Sequence, residues 1–239
     1  MKTLNTITGF AVAAAALGFA AQSVSAQALY TLSGGSVRDS AVTTPATGFT
    51  VIGGNFAGNV GFDFTPTANE SVTSLGYFNF NGTATAGAGL TNAHSVGLYD
   101  PAGTLLASTI IAAGGVGTSD TNGSVFVYNS VTPVNLVAGT KYTLFGTTGA
   151  SPGDGFVENA TGVIYNGITY NQNQYNTSTS LSGARSNTGA LNFQGPGYFG
   201  PNAIIASAAV PEASSSIGLG VLLALGGMAL IARKKSVMA

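Results

Sequence analysis

Between residues 27 and 209 the apolar residues never hold a helical period for any sustained length. They alternate with polar residues over short stretches, and turn-forming residues separate those stretches roughly every ten positions. Such a chain can bury one face of each strand by folding as a single antiparallel β-sandwich or jelly roll, an all-β fold. Val60, Phe62 and Phe64 share a face of a strand that ends at Pro66. Over residues 72–80, Leu75 and Tyr77 take one face and Phe78 and Phe80 the other. Val96 and Leu98 share a face in residues 95–99. Asp100-Pro101-Ala102-Gly103 is then a turn, because Asp caps it, Pro presets φ and Gly closes it. Residues 104–111 return as the hairpin partner. After the glycine-rich loop 112–123, Val125 and Val127 oppose Phe126 and Tyr128 in a strand ended by Pro133. Ala138-Gly139 turns the chain into 141–145. Beyond 147 the pattern loosens. A strand or hairpin is expected over 163–170, a polar amide-rich loop over 171–176, and a last strand over 198–205.

Charge is sparse, yet aromatics are frequent, so the composition is that of a packed domain and not of a disordered chain. Between 27 and 209 only Arg38, Lys141 and Arg185 are basic, against Asp39, Asp63, Glu70, Asp100, Asp120, Asp154 and Glu158, a net of −4. Three scattered cations give no electrostatic footprint for nucleic acid. The absence of cysteine excludes zinc–thiolate, iron–sulfur and cysteine-nucleophile chemistry.

The two ends carry address signals. Lys2, the apolar run 10–21 and the small residues Val24-Ser25-Ala26 read as a signal peptide over 1–26, cut between Ala26 and Gln27. At the other end, residues 214–232 form 19 positions without a formal charge. As a helix they reach about 28 Å, enough to cross a hydrocarbon core. Arg233, Lys234 and Lys235 follow as a basic stop that stays cytoplasmic, within a tail over 233–239. The extracytoplasmic domain is therefore expected over 27–209, between a signal-peptide helix and a transmembrane helix. Gly220 and Ala224 form a small-xxx-small pair on that helix.

Val210-Pro211-Glu212, the serine-rich spacer after it, the glycine-bearing span and the basic cluster together resemble the PEP-CTERM sorting signal. The motif occupies 210–213, with Ala213 where the family pattern has a second proline. The resemblance covers about the last thirty residues. It implies an exosortase-like processing enzyme as partner, transient residence in the inner membrane, and then release to the surface or matrix of a Gram-negative cell that makes extracellular polysaccharide. A second resemblance covers about residues 55–147. Val60-Gly-Phe-Asp-Phe-Thr-Pro, Val72-Thr-Ser-Leu-Gly-Tyr-Phe, Val96-Gly-Leu-Tyr-Asp-Pro-Ala-Gly-Thr-Leu-Leu-Ala, Pro133-Val and Ala138-Gly-Thr-Lys-Tyr are similar, in order, to an uncharacterised family of extracellular bacterial β-sandwich modules. Its motifs are turns and core positions, so it implies fold and no activity.

Few residues invite chemistry. His94 is the only histidine, no G-x-S-x-G elbow accompanies it, and it reads as a polar surface residue. Asp154 and Glu158, close in sequence in a loop, are the carboxylates a glycosidase reading would use, with Asp63 on a strand weighed beside them. Asp120-Thr121-Asn122-Gly123 reads as an Asn-Gly turn, since no acid follows to complete a calcium loop. Tyr165, Tyr170, Tyr175 and Tyr198, interleaved with asparagine and glutamine, are candidate glycan contacts: each ring offers a stacking face and the amides offer paired donors and acceptors. The alternative for these tyrosines is ordinary packing. The expected function is that of an exported, non-enzymatic surface or matrix protein, structural or polysaccharide-associated, with no cofactor or metal. The alternatives are a secreted polysaccharide-active hydrolase, or a single-span protein that Ala213 leaves uncut.

Overall fold

The computed structural model describes residues 26–38, 46–54, 56–148, 154–184 and 198–207. The expected signal peptide before Ala26, the motif Val210, Pro211 and Glu212, the span 214–232 and the cluster Arg233, Lys234 and Lys235 lie outside the described residues.

The described chain is all-β and sandwich-like. In order, its strands are β1 (Ala26–Ala28), β2 (Tyr30–Arg38), β3 (Phe49–Val51), β4 (Asn59–Pro66) and β5 (Glu70–Phe78). After a one-turn helix α1 (Phe80–Ala84) come β6 (His94–Tyr99), β7 (Leu105–Ile111), β8 (Thr118–Ser119), β9 (Val125–Leu136), β10 (Tyr142–Thr147), β11 (Phe156–Ile164), β12 (Ile168–Asn176) and β13 (Pro201–Ser207). Two five-stranded sheets run β1-β13-β5-β9-β8 and β12-β4-β10-β6-β7, and a three-stranded sheet runs β11-β2-β3. Every pairing is antiparallel except β2 with β3.

The three sheets share one core. Phe62, Phe64, Val96, Leu98 and Leu144 come from one large sheet, and Val72, Leu75, Tyr77, Phe126, Ala203 and Ile205 from the other. Leu32, Val37, Phe49 and Val157 come from the small sheet. Tyr30 is the hinge of this packing. Its ring meets Phe62 and Phe126 edge-on at 5.7 and 5.6 Å and tilts against Phe199 at 4.4 Å. Its hydroxyl donates to the Pro201 carbonyl at 2.7 Å, which satisfies the one polar atom that ring buries.

The turn at Asp100 forms as expected: Thr104 N–H donates to Asp100 Oδ1 at 2.8 Å, and Gly103 takes φ 86°, a left-handed value that favours glycine. Three expectations need correction. Phe80 starts α1 and does not continue β5; the Asn79 side chain accepts from Gly82 N–H at 2.9 Å and caps that helix. Pro133 does not end β9, because the pairing with β5 slips beside it, from Ser74↔Ser130 to Val72↔Val134, and the irregularity accommodates a residue with no N–H. Residues 171–176 are not a loop but the second half of β12. The early strands β1 to β3 carry no alternation strong enough to predict them.

Candidate functional site

Tyr198 and Tyr175 meet in a pocket of about 140 Å³ with Arg38, Phe56, Val60, Phe156 and Glu158. Strand pairing explains the convergence. Arg38 lies opposite Phe156 and Ser36 opposite Glu158, so Arg38, Phe156 and Glu158 share one face of the small sheet. Val157 and Phe199 exchange two backbone hydrogen bonds of 3.0 Å, which sets Tyr198 beside Glu158 on that same face and turns Phe199 into the core. The other wall comes from β12. Its pairing with β4 jumps from Tyr170↔Phe64 to Gln172↔Asp63, an extra residue at Asn171. The bulge restores the alternation so that Tyr175 falls opposite Val60, on the face that Tyr170 also uses. Phe56 folds in just before β4. A Cβ on Gly58 would collide with the Asn176 carbonyl and with the Phe56 ring, so glycine is required there by close approach.

The four rings form a closed edge-to-face circuit. Phe56 meets Phe156 at 6.3 Å, Phe156 meets Tyr198 at 5.5 Å, Tyr198 meets Tyr175 at 6.1 Å and Tyr175 meets Phe56 at 5.8 Å, all between 79° and 80°. Phe156, Tyr198 and Val60 are buried, while Phe56 and Tyr175 remain partly exposed at the mouth. Arg38 grips Glu158 with two hydrogen bonds, Nε to Oε1 at 2.6 Å and Nη2 to Oε2 at 3.1 Å. The Glu158 side chain is 2% exposed and that of Arg38 29%. Such a bidentate pair leaves no net charge on the wall. The hydrogen bond to Glu158 raises the Arg38 guanidinium further above its ordinary value. Burial first, then the charge of Glu158, pushes the Tyr198 phenol up, so it stays protonated.

Tyr165 and Tyr170 are elsewhere. Both pack half-buried against the main core. Tyr170 lies 5.5 Å from the Phe62 ring and donates to Asn173 Oδ1, and Tyr165 donates to Glu70 Oε1 at 3.4 Å. Of the four tyrosines selected from sequence, the structure brings two into the pocket. Ala26 and Gln27 lie in β1, opposite Ala206 and Ile205.

His94 is not on the surface. It is fully buried and stacks on Tyr77 at 3.8 Å and 6°. Its Nδ1 faces the Thr147 carbonyl at 2.7 Å and its Nε2 faces Asp154 Oδ2 at 3.0 Å. A carbonyl only accepts, so Nδ1 carries a proton, and both ring nitrogens are engaged with no hydroxyl among their partners. Asp154 also accepts from the N–H groups of Thr91 and Asn92 at 2.8 and 2.7 Å. Burial pushes this carboxyl up, but the His94 hydrogen bond and those two N–H groups outweigh it and hold it below the ordinary range. Asp154 and Glu158 therefore do not form a facing pair: one is held by His94, the other by Arg38. Asp120 caps its own turn, accepting from Asn122 and Ser124 N–H, and reaches Leu32 N–H at 3.2 Å. Among the described residues no group of three acidic, histidine or cysteine side chains is placed to hold a metal ion.

Asp63, the strand carboxylate weighed with Asp154 and Glu158, is buried as well. It accepts from Thr143 at 2.5 Å, Gln172 at 3.0 Å and Gln174 at 2.7 Å, with Lys141 Nζ at 3.5 Å. These bonds consume the amides of β12 on the side of the strand away from the pocket. Comparison with protein-family models, curated proteins and solved structures gives no match.

Proposed function

We propose that this is an exported, non-enzymatic protein of the cell surface or extracellular matrix, and that it associates with polysaccharide. The observation that carries the reading is the convergence of Tyr175 and Tyr198, with Phe56 and Phe156, on a pocket whose polar wall is a neutral Arg38–Glu158 pair. Aromatic rings beside a few fixed polar groups suit a sugar, which presents C–H faces and hydroxyl edges together. The terminal signals supply the setting: a signal peptide cut at Ala26–Gln27 and a PEP-CTERM-like tail from Val210, read by an exosortase-like enzyme at the inner membrane. The sandwich would be one domain over 27–209, leaving the span behind on processing.

Intact-mass measurement of the protein in medium and membrane fractions of its host tests the sorting half. A secreted species beginning at Gln27 and ending near Glu212 is expected. A membrane-bound species that keeps residues 214–239 would support the permanently anchored alternative. The hydrolase reading would need a facing pair of carboxylates, and the partners of Asp154 and Glu158 favour the binding reading over it.

A further inference from the structure

We propose that the pocket takes the terminal pyranose ring of a neutral glycan, one sugar residue at a time, and discriminates against charged sugars. This rests on the polysaccharide-binding reading and narrows it to a ligand class. Three features of the site carry it.

The first is size. At about 140 Å³ the pocket is well below the several hundred Å³ of a typical drug-sized ligand site, so it admits no more than one ring, seated through its open mouth, and not a stretch of chain. A chain interior lies along a groove; a chain end enters a pocket. The second is charge. Among the described residues the only cation in the wall is Arg38, and both oxygens of Glu158 already hold it. A uronate would bring a carboxylate into an apolar enclosure next to Glu158 with no unmatched cation to receive it, and an amine would find the acid already matched. A neutral ring meets neither penalty. The third is the distribution of polar atoms. Glu158 uses two of the five guanidinium N–H donors, and the remaining face of Arg38 together with the Tyr175 hydroxyl can serve sugar hydroxyls while the partly exposed rings of Phe56 and Tyr175 receive the C–H face.

The test is titration of the secreted protein with methyl glycosides of glucose, galactose and mannose, with sodium glucuronate and with choline chloride. The chain has no tryptophan, so tyrosine emission reports directly, and saturation-transfer NMR gives a second readout. At least one methyl hexoside should bind saturably, with glucuronate and choline at least tenfold weaker. Tyr175→Ala should weaken binding at least tenfold, whereas Tyr175→Phe should stay within a few-fold. Tyr175 is partly exposed, and an unchanged unfolding midpoint checks that the variant is folded. Preference for choline would overturn the proposal in favour of a cation cage, preference for glucuronate would overturn the charge argument, and no saturable binding would overturn it altogether. Sedimentation with whole exopolysaccharide separates the two levels. If the wild type and Tyr175→Ala both co-sediment while no monosaccharide binds, polysaccharide association stands and this pocket assignment falls.

Discussion

Ala26 lies directly opposite Ala206 in the antiparallel pair of β1 and β13. The residue before the expected signal-peptide cut is thus a cross-strand neighbour of the segment that leads into the sorting motif. The first and last described residues thus lie at one corner of the first large sheet, where the two expected address signals would attach. Leu29 N–H donates to the Ala203 carbonyl at 2.9 Å, and hydrogen-bonded pairs alternate along an antiparallel ladder, so Gln27 and Ile205 form the next such pair.

Cutting between Ala26 and Gln27 therefore turns the Gln27 amide into the terminal ammonium, which still has N–H groups to donate to Ile205. A protein that starts at Gln27 should unfold within about 0.5 kcal/mol of one that keeps Ala26, because Ala26 is exposed and its pairing is the last of the strand. Removing residues 27–29 as well should cost several kcal/mol, since it strips β13 of one of its two partner strands, leaving only β5, and takes Leu29 out of the core. Urea denaturation of the three forms checks both statements.

The His94–Asp154 pair predicts an acid-sensitive fold. Asp154 titrates below the ordinary carboxylate range in the folded protein, so it contributes stability above its unfolded value near 3.9, and that contribution is lost as pH falls through the folded value. Asp154→Ala should cost about 3–5 kcal/mol at pH 7, because it leaves buried His94 without its partner, and it should flatten the fall in stability below pH 4. Denaturant melts of wild type and variant between pH 2.5 and 7 give the two curves.

Tyr30 separates packing from hydrogen bonding. Tyr30→Phe keeps the ring contacts and leaves the Pro201 carbonyl unpaired, a loss of about 1–2 kcal/mol. Tyr30→Ala removes the ring between Phe62, Phe126 and Phe199 and should cost about 3–5 kcal/mol or prevent folding. Thermal melts distinguish the two.

Two buried asparagines fasten the segment after β12. Asn59 Nδ2 donates to the carbonyls of Ser178 and Ser180 at 2.9 Å each, and Asn176 Nδ2 donates to those of Ser182 and Ala184 at 3.2 and 2.7 Å. Asn59→Ala should release residues 178–184 and make them a preferred site of limited proteolysis, with little change in the protection of β4 to β10. Cleavage at unchanged rate would show that the segment is held by other contacts, such as Leu181 against Gly97.

The parts of the fold legible in the sequence were those where one face of a strand meets the core and the other does not compete. β4, β6 and β7 are of this kind, and the Asp100 turn between β6 and β7 supplied its own chemistry. β12 was hidden because its amides pair with Asp63, a bond to a residue more than a hundred positions away that makes a polar segment a buried strand. The pocket was half legible. Tyr175 and Tyr198 stood out as aromatics among amides, but the Asn171 bulge decides which β12 tyrosines share a face, and no local pattern marks it. Arg38 and Phe156 were missed because their roles depend on the β2–β11 pairing, and Phe56 because it lies outside any strand, just before β4. Glu158 drew notice as a neighbour of Asp154, whereas its partner is Arg38, 120 residues away. His94 misled because a lone histidine next to a strand start looks solvated, and only the fold supplies Tyr77, Thr147 and Asp154 around it.

Co-sedimentation of the purified protein with extracellular polysaccharide from its host tests the central claim most directly. The account predicts saturable retention in the polysaccharide pellet, reduced at least tenfold by Tyr175→Ala and unaffected by Tyr165→Phe on the core side. A protein that remains in the supernatant at every polysaccharide concentration, from a host whose biofilm is unchanged when the protein is deleted, would contradict it.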